Sequence, residues 1–276
     1  MGETLQVDQI PKQEGSSLQP NQKPVALVTG SSGGLGRMAA EVLAEAGWSL
    51  AAHFRNHQEP AQEMVDQLAA KGRQAHLFQA DVNRRDQALQ LVRDVEDRWG
   101  RLDALIHAVG PFIRERRRFA DYDLDAVDEL VDGNLKSALY MTHASLPLLR
   151  RSGYGRIILF GFGRAGEAPA WPDRAPYAAA KTGLVSFVKT LSVEEAPFGV
   201  TVNMVCPGDI VGENKLKRIL EVEEVPDEET PLGRPGSGED VARVIRFLCE
   251  RESGFVTGNI IQVTGGLDVI HPISKA

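Results

Sequence analysis

Cysteine is almost absent. Cys206 and Cys249 are the only two in 276 residues. Two thiols cannot build a disulfide framework, and no Cys/His spacing in the chain resembles a zinc site, so no metal is expected. No apolar run approaches the roughly 18 residues of a membrane span, so no membrane partner is expected. The first residues lack the apolar core of a secretory signal, which predicts a cytoplasmic protein. Basic residues are also short: 31 Lys and Arg against 38 Asp and Glu give a net charge of −7. A mildly acidic chain is not a general nucleic-acid binder. Apolar side chains are plentiful at 42%, beside 25% charged, which specifies a globular protein with a sizeable core.

Residues 1–23 are rich in Gln, Ser, Pro and Gly and carry no periodicity, so they are expected to form a flexible tail. Residues 24–276 are expected to form a single domain, because no linker interrupts them. Short β-branched or apolar runs recur at Val25–Thr29, Ser49–Phe54, Gln74–Gln79, Asp103–Ala108, Arg156–Gly161, Thr201–Val205 and Asn259–Val263. Segments with helical spacing lie between them: Gly34–Ala46, Pro60–Lys71, Asp86–Trp99, Asp125–Arg150, Pro176–Ala196 and Gly238–Cys249. This alternation predicts a doubly wound α/β fold of the Rossmann type, with about seven parallel strands and helices on both faces. Two stretches break the rhythm. Pro111–Asp123 carries Arg114-Glu115-Arg116-Arg117-Arg118, and Asp209–Pro235 carries the acidic run Glu221–Glu229. Both follow strands, at the sheet edge where open α/β folds bind ligands, so both are candidate substrate walls or lids.

The first strand runs through Thr29 into Gly30-Ser31-Ser32-Gly33-Gly34-Leu35-Gly36 and then a helix. Glycines there allow a tight turn and close approach of a pyrophosphate, and the helix N-terminus adds N–H groups and a favourable dipole. Tyr177 and Lys181 stand four apart on a predicted helix and so share one face. A phenol with a pKa of about 10 is a poor base until a nearby ammonium stabilises its phenolate.

Together these motifs resemble the short-chain dehydrogenase/reductase family. Thr29-Gly30-x-x-x-Gly34-x-Gly36 is similar to its cofactor turn, and Tyr177-Ala178-Ala179-Ala180-Lys181 to its Tyr-x-x-x-Lys signature. Asp81-Val82, Asn134, Val202-Asn203-x-x-x-Pro207-Gly208, Pro231-Leu232-Gly233-Arg234 and Phe255-Val256-Thr257-Gly258 match further landmarks across about residues 24–268. The closest-looking branch is that of the 3-oxoacyl-carrier-protein reductases. The resemblance implies a nicotinamide dinucleotide held by Gly30, Ser31, Ser32, Gly34, Leu35 and Gly36 in the turn. It implies further cofactor contacts from Arg55 and Asn56 after strand two, Asp81 and Val82 after strand three, where the family contacts adenine, and Ala108 and Gly110 after strand four. Pro207, Gly208 and Ile210, with Tyr177 and Lys181, complete the implied set. It further implies Tyr177 as acid/base, Lys181 as its tuner and ribose ligand, and Asn134 as the anchor of a water relay.

Phe54 stands where an NAD enzyme places the carboxylate that holds the ribose 2′-OH, and Arg55 follows it. No anion is there to repel a 2′-phosphate, and Arg55, with Arg37 as a second cation, is placed to pair with one. NADP(H) is therefore expected over NAD(H).

Two positions depart from the family pattern. Its hydroxyl residue after strand five falls on Phe162, and neither Ser nor Thr occurs from Gly153 through Ala180. Arg164, Glu167, Asp173, Arg174 or glycine N–H groups are candidate replacements for that donor. His107 stands where the family has Asn, and is expected to be a satisfied structural histidine. The expected function is an NADP(H)-dependent oxidoreductase acting on a small carbonyl or alcohol. The second reading is a dinucleotide-binding sensor or assembly protein with little turnover. Leu184, Val185, Phe187, Val188, Leu191 and Val193 wrap beyond one helix face, which predicts a homo-oligomer, dimer or tetramer. The basic and acidic loops are expected to be solvated or to pair as a lid, which favours a small neutral or free substrate over a carrier-bound one.

Overall fold

The structure, a computed structural model, describes residues 23–270; the expected tail, apart from Lys23, lies outside the described residues. The apolar runs become β1 (Val25–Thr29), β2 (Ser49–Phe54), β3 (Ala75–Gln79), β4 (Ala104–His107), β5 (Arg156–Phe160), β6 (Thr201–Pro207) and β7 (Ile260–Val263). They form one seven-stranded sheet in the order β3-β2-β1-β4-β5-β6-β7, every neighbouring pair parallel. Strand side chains alternate between faces, so Val25 and Leu27 enter one core while Ala26 and Val28 enter the other. The first core is roofed by α3 (Arg85–Trp99), α5 (Ser137–Arg151) and α6 (Ala175–Glu195). The second is roofed by α1 (Gly34–Glu45), α2 (Gln58–Ala70) and α7 (Gly238–Cys249). Strand order reverses between β1 and β4, which opens a crevice beyond their carboxyl ends.

The expected long helix over 125–150 is two helices. α4 (Leu124–Val131) passes into a π-helical turn, Asp132–Lys136, before α5. Side chains compensate the widened turn: Asn134 Nδ2 donates to the Leu130 carbonyl at 3.0 Å and to Pro111 O at 2.8 Å, and Ser137 Oγ donates to Gly133 O at 2.7 Å. α2 starts two residues before the expected Pro60, because a proline in the first turn forfeits only an N–H that has no helical partner.

The apolar positions of α6 are mostly covered within the chain. Leu184, Val185, Val188 and Leu191 are buried and Phe187 is half-buried, while Val193 is exposed. Their wrap around the helix reflects contact with both the sheet and neighbouring helices, so these positions do not by themselves require a second chain.

The two irregular stretches do not pair as a lid. Among the described residues no ion pair joins them. Arg117 pairs with Glu115 inside its own loop. The 209–235 segment is tied instead to α1 and α7: Arg218 meets Glu45 at 2.7 Å and the Ile219 N–H donates to Glu239 at 2.8 Å.

Candidate active site

Two adjoining clefts lie in the crevice, with Val109 on the wall of both. The larger, about 510 Å³, is lined by Gly34, Leu35, Gly36, Ala108, Gly110, Tyr177, Lys181, Pro207, Gly208 and Ile210. The smaller, about 210 Å³, is lined by Gly30, Ser32, Arg55, Asn56, Asp81 and Val82. The fold thus gathers nearly every residue singled out from the sequence. Asn134 stands just behind the lining, against Gly110, and Ser31 lies off it. Ser31 is fully buried, its Oγ accepting from the His53 N–H at 2.8 Å, so its hydroxyl braces the turn from behind. Arg37 is also diverted: its guanidinium pairs with Glu41 one helical turn on, at 2.9 Å. Arg55 faces the smaller cleft and is only loosely paired, 3.9 Å from Asp81.

The glycine turn has the form an anion needs. Gly30 adopts φ +72°, and a Cβ on Gly36 would collide with the Gly30 carbonyl, so turn and helix meet at a distance only glycine permits. The other side of the turn is open: nothing stands within 4 Å of a Cβ on Gly33. Neither a side-chain cap nor a first-turn acid occupies the start of α1, and its first residues, Gly34, Leu35 and Gly36, line the larger cleft. A dinucleotide pyrophosphate fits this cradle.

Lys181 is almost fully buried, with Nζ 5.9 Å from the Tyr177 ring centre. A Cβ on Gly110 would lie 2.5 Å from Asn134 Oδ1 and 3.1 Å from Lys181 Nζ, so these two groups converge on one glycine. Asn134 Oδ1 is buried without a hydrogen-bond partner. It is thus an unused acceptor on the same side of Gly110 as the lysine. Burial lowers the Lys181 pKa to about 8 and raises that of Tyr177 above the ordinary phenol value.

Around Tyr177 stands an aromatic wall that sequence spacing did not reveal. Phe162 packs 4.8 Å from Trp171 and 6.1 Å from Tyr177, and Phe112 lies 4.9 Å from Tyr177, all between ring centres. Phe162 thus fills its position with a ring instead of a hydroxyl. Of the proposed replacements, Arg164 pairs with Glu167 and Asp268, and the Gly161 N–H donates to Val205 O. Arg174 alone of the four side chains lines the cleft, and its guanidinium donates to the carbonyls of Arg114 and Glu115.

A protein-family model described as Enoyl-(Acyl carrier protein) reductase matches residues 30–268. The chain belongs to the short-chain dehydrogenase/reductase family. This short-chain dehydrogenase/reductase is 42% identical to YtkK of Bacillus subtilis (strain 168), a protein designated an oxidoreductase, over 89% of this chain and 97% of that one. It is 32% identical to the 3-oxoacyl-acyl-carrier-protein reductase FabG of Staphylococcus aureus (strain N315), over 88% and 97% of the two chains. A Bacillus thuringiensis structure designated a 3-oxoacyl-reductase superposes with a TM-score of 0.84 at 39% identity, covering 90% of this chain and 100% of its own. Membership makes the chain an oxidoreductase and implies a nicotinamide dinucleotide as its cofactor. Among the described residues no helix is long and apolar enough to cross a membrane, and no cluster of His, Cys, Asp or Glu is arranged to hold a metal ion.

Two buried histidines hold the crevice of this short-chain dehydrogenase/reductase in shape. His53, on β2, accepts from the Gly30 N–H at Nδ1 (3.1 Å) and donates from Nε2 to Ala80 O (3.0 Å). It ties the glycine turn to the end of β3. No motif marked it, because it sits inside an apolar strand. His107 bridges Thr29 Oγ1 at 2.9 Å and Ser137 Oγ at 3.0 Å. Ser137 gives its proton to Gly133, so His107 donates from Nε2 and accepts from Thr29 at Nδ1. That is the satisfied structural histidine expected.

Burial, the leading cause in both, lowers the pKa of His53 to about 4 and of His107 to about 3. An unfolded histidine takes its proton near pH 6.5. Protons therefore favour unfolding below that value, and the stability present above pH 6.5 is lost as pH falls toward 4. The His53 displacement alone is worth on the order of 3 kcal/mol. Melting temperatures measured from pH 7 to 4.5 are expected to fall steeply, and His107→Asn, which keeps a donor and an acceptor, to fall less. Parallel acid limbs for the two proteins would show that His107 is not part of this linkage.

Proposed function

We propose that the chain is an NADP(H)-dependent reductase of small carbonyl compounds. The convergence of Lys181 Nζ and the unpartnered Asn134 Oδ1 behind Gly110, in the cleft that Tyr177 lines, carries this reading. The nicotinamide, when bound, supplies the hydride. Tyr177 donates its phenolic proton to the carbonyl oxygen, so ketone, hydride and proton balance to a secondary alcohol. Burial raises its pKa, so the proton is in place at neutral pH. Lys181 stabilises the phenolate left behind and bonds the ribose. Asn134 Oδ1 accepts from a water that returns a proton toward Lys181. Gly30, Ser32, Gly34, Leu35 and Gly36 hold the pyrophosphate, while Pro207, Gly208 and Ile210 bound the nicotinamide end. We also infer a homo-oligomer, supported by family membership and not by the apolar positions of α6.

NADP(H) preference rests on the end of β2. Phe54 is buried, and Arg55, Asn56 and Ser32 line the adenosine cleft beside Asp81. Arg55→Gln is expected to lower the ratio of NADPH to NADH affinity by about tenfold, the usual worth of one charge-assisted hydrogen bond. Dissociation constants for both cofactors measure it; an unchanged ratio places 2′-phosphate recognition elsewhere.

Phe162 supports a second reading, a cofactor-binding protein with little turnover. Losing one donor to the substrate oxygen costs about 10²–10³ in rate. A panel of small ketones, an acyl thioester and a 2-enoyl thioester, run with NADPH, decides between them. Ketone reduction supports the first reading. Tight NADPH binding without consumption of any member supports the second, and consumption of the enoyl compound alone would mean alkene reduction.

A further inference from the structure

We infer that the substrate is an aromatic carbonyl compound bearing a carboxylate, stacked on the ring wall and held by Arg114 and Arg116. The inference rests on the carbonyl-reductase reading and names the substrate class of the same cleft.

The ring wall is one part of the case. Phe112, Phe162 and Trp171 stand edge or face toward Tyr177, with ring centres 4.8–6.3 Å apart. Phe162 is buried behind the others, while Phe112, Trp171 and Tyr177 keep surface on the cleft against which a planar group can stack. The wall is held under strain: Arg164, Ala168 and Asp173, the three non-glycine residues with positive φ among those described, all lie between β5 and α6, flanking Trp171. Strain of this kind persists where the surrounding structure enforces it, and gathers at ligand sites.

Charge is the other part. The chain is acidic overall, yet this end of the cleft is positive. Arg114 and Arg116 line it without an ion-pair partner among the described residues, while Glu115 between them turns away to Arg117. Arg174 is buried against the ring of Phe112 and bonds only backbone carbonyls, so its charge also lacks a carboxylate. Those bonds, with Arg117 N–H to Asp173 O at 3.3 Å, strap the arginine loop to the Trp171 segment and preorganise it. Arg114 and Arg116 are exposed, so their field is partly screened, whereas the buried Arg174 behind them adds a positive charge that water screens less. Lys215 lines the same cleft at the other end, beside Gly34 of the glycine turn. Asp209 is the one carboxylate on the lining. The cleft, about 510 Å³ and shared with the nicotinamide, suits one or two rings.

Three probes separate the sources of an anion: 4-acetylbenzoate, its uncharged isostere 4′-methylacetophenone, and acetoacetyl-coenzyme A. The wild-type enzyme with NADPH is expected to prefer the acid over the isostere by about tenfold or more in kcat/KM. Arg114→Gln with Arg116→Gln is expected to abolish that ratio through KM, whereas Arg118→Gln, outside the cleft lining, leaves it intact. Calorimetric titration of the NADP⁺-loaded protein with the two ketones reads the same preference as binding. Turnover of both ketones without preference overturns the inference and leaves the reductase reading standing. Selective loss of acetoacetyl-coenzyme A turnover in the double variant assigns the arginines to a carrier phosphate and also overturns it. Binding of the acid in preference to its isostere, with no ketone reduced, would remove the reductase reading and overturn the substrate assignment with it, leaving the arginines as an anion-binding wall only.

Discussion

Tyr177→Phe is expected to lower kcat for NADPH-dependent ketone reduction by about 10²–10⁴-fold. The ring contacts with Phe112, Phe162 and Trp171 survive the change, so the wall and the fold are kept. Only the hydroxyl goes, and with it the proton donor. NADPH affinity, read by fluorescence titration, is expected to stay close to wild type because the glycine turn and the β2 end are untouched. The melting temperature is expected to hold for the same reason. Because Phe162 offers no second donor beside the substrate oxygen, the loss falls directly on chemistry. Turnover reduced by less than tenfold would mean that another group protonates the product.

Lys181→Met separates catalysis from stability. Methionine is unbranched and apolar, and it fills the buried space without a charge. An unfolded lysine holds its proton to about pH 10.4, the folded one only to about 8, with burial as the cause. Between those values the unfolded chain binds more protons, so the wild-type protein gains stability as pH rises through 8 toward 10.4. Below pH 8 the desolvated charge is a standing cost, on the order of 3 kcal/mol. The variant is therefore expected to melt higher than wild type at pH 7, and to lack the alkaline gain. Its kcat is expected to drop at least about 10²-fold, since the phenolate of Tyr177 loses its stabilising ammonium, and NADP(H) binding is expected to weaken with the ribose contact. Melting curves at pH 7 and 9.5, with steady-state kinetics, measure all three. A lower melting temperature with activity retained would make Lys181 a structural residue.

Much of the site was legible because its signals are local. The glycine turn must lie between β1 and α1, and Tyr177 and Lys181 must share a face of α6, whatever the rest of the chain does. The absence of Ser and Thr from Gly153 through Ala180 is plain in the sequence as well. Arg37 and Ser31 misled because their neighbours in space, Glu41 and His53, satisfy them first. Of the two roles expected for Arg114–Arg118 and Glu221–Glu229, solvated faces or a paired lid, the pairing is not formed, because Arg218 ties the second loop to Glu45 on α1.

The sequence by itself determined the alternation of strands and helices, the parallel sheet, the glycine turn between β1 and α1 and the Tyr177–Lys181 face. Each is written in a period of two or 3.6 residues or in a short turn, and needs no distant partner to be read. Only the tertiary structure decided which polar groups were left unpaired at the crevice. Asn134 reaches Gly110 because a π-helical turn reorients it; His53 braces Gly30 because β2 lies beside β1; Arg174 carries the arginine loop because β5 and β4 are neighbours. Burial and hydrogen-bond satisfaction are properties of such crossings, and they set the pKa values and free charges from which chemistry is made.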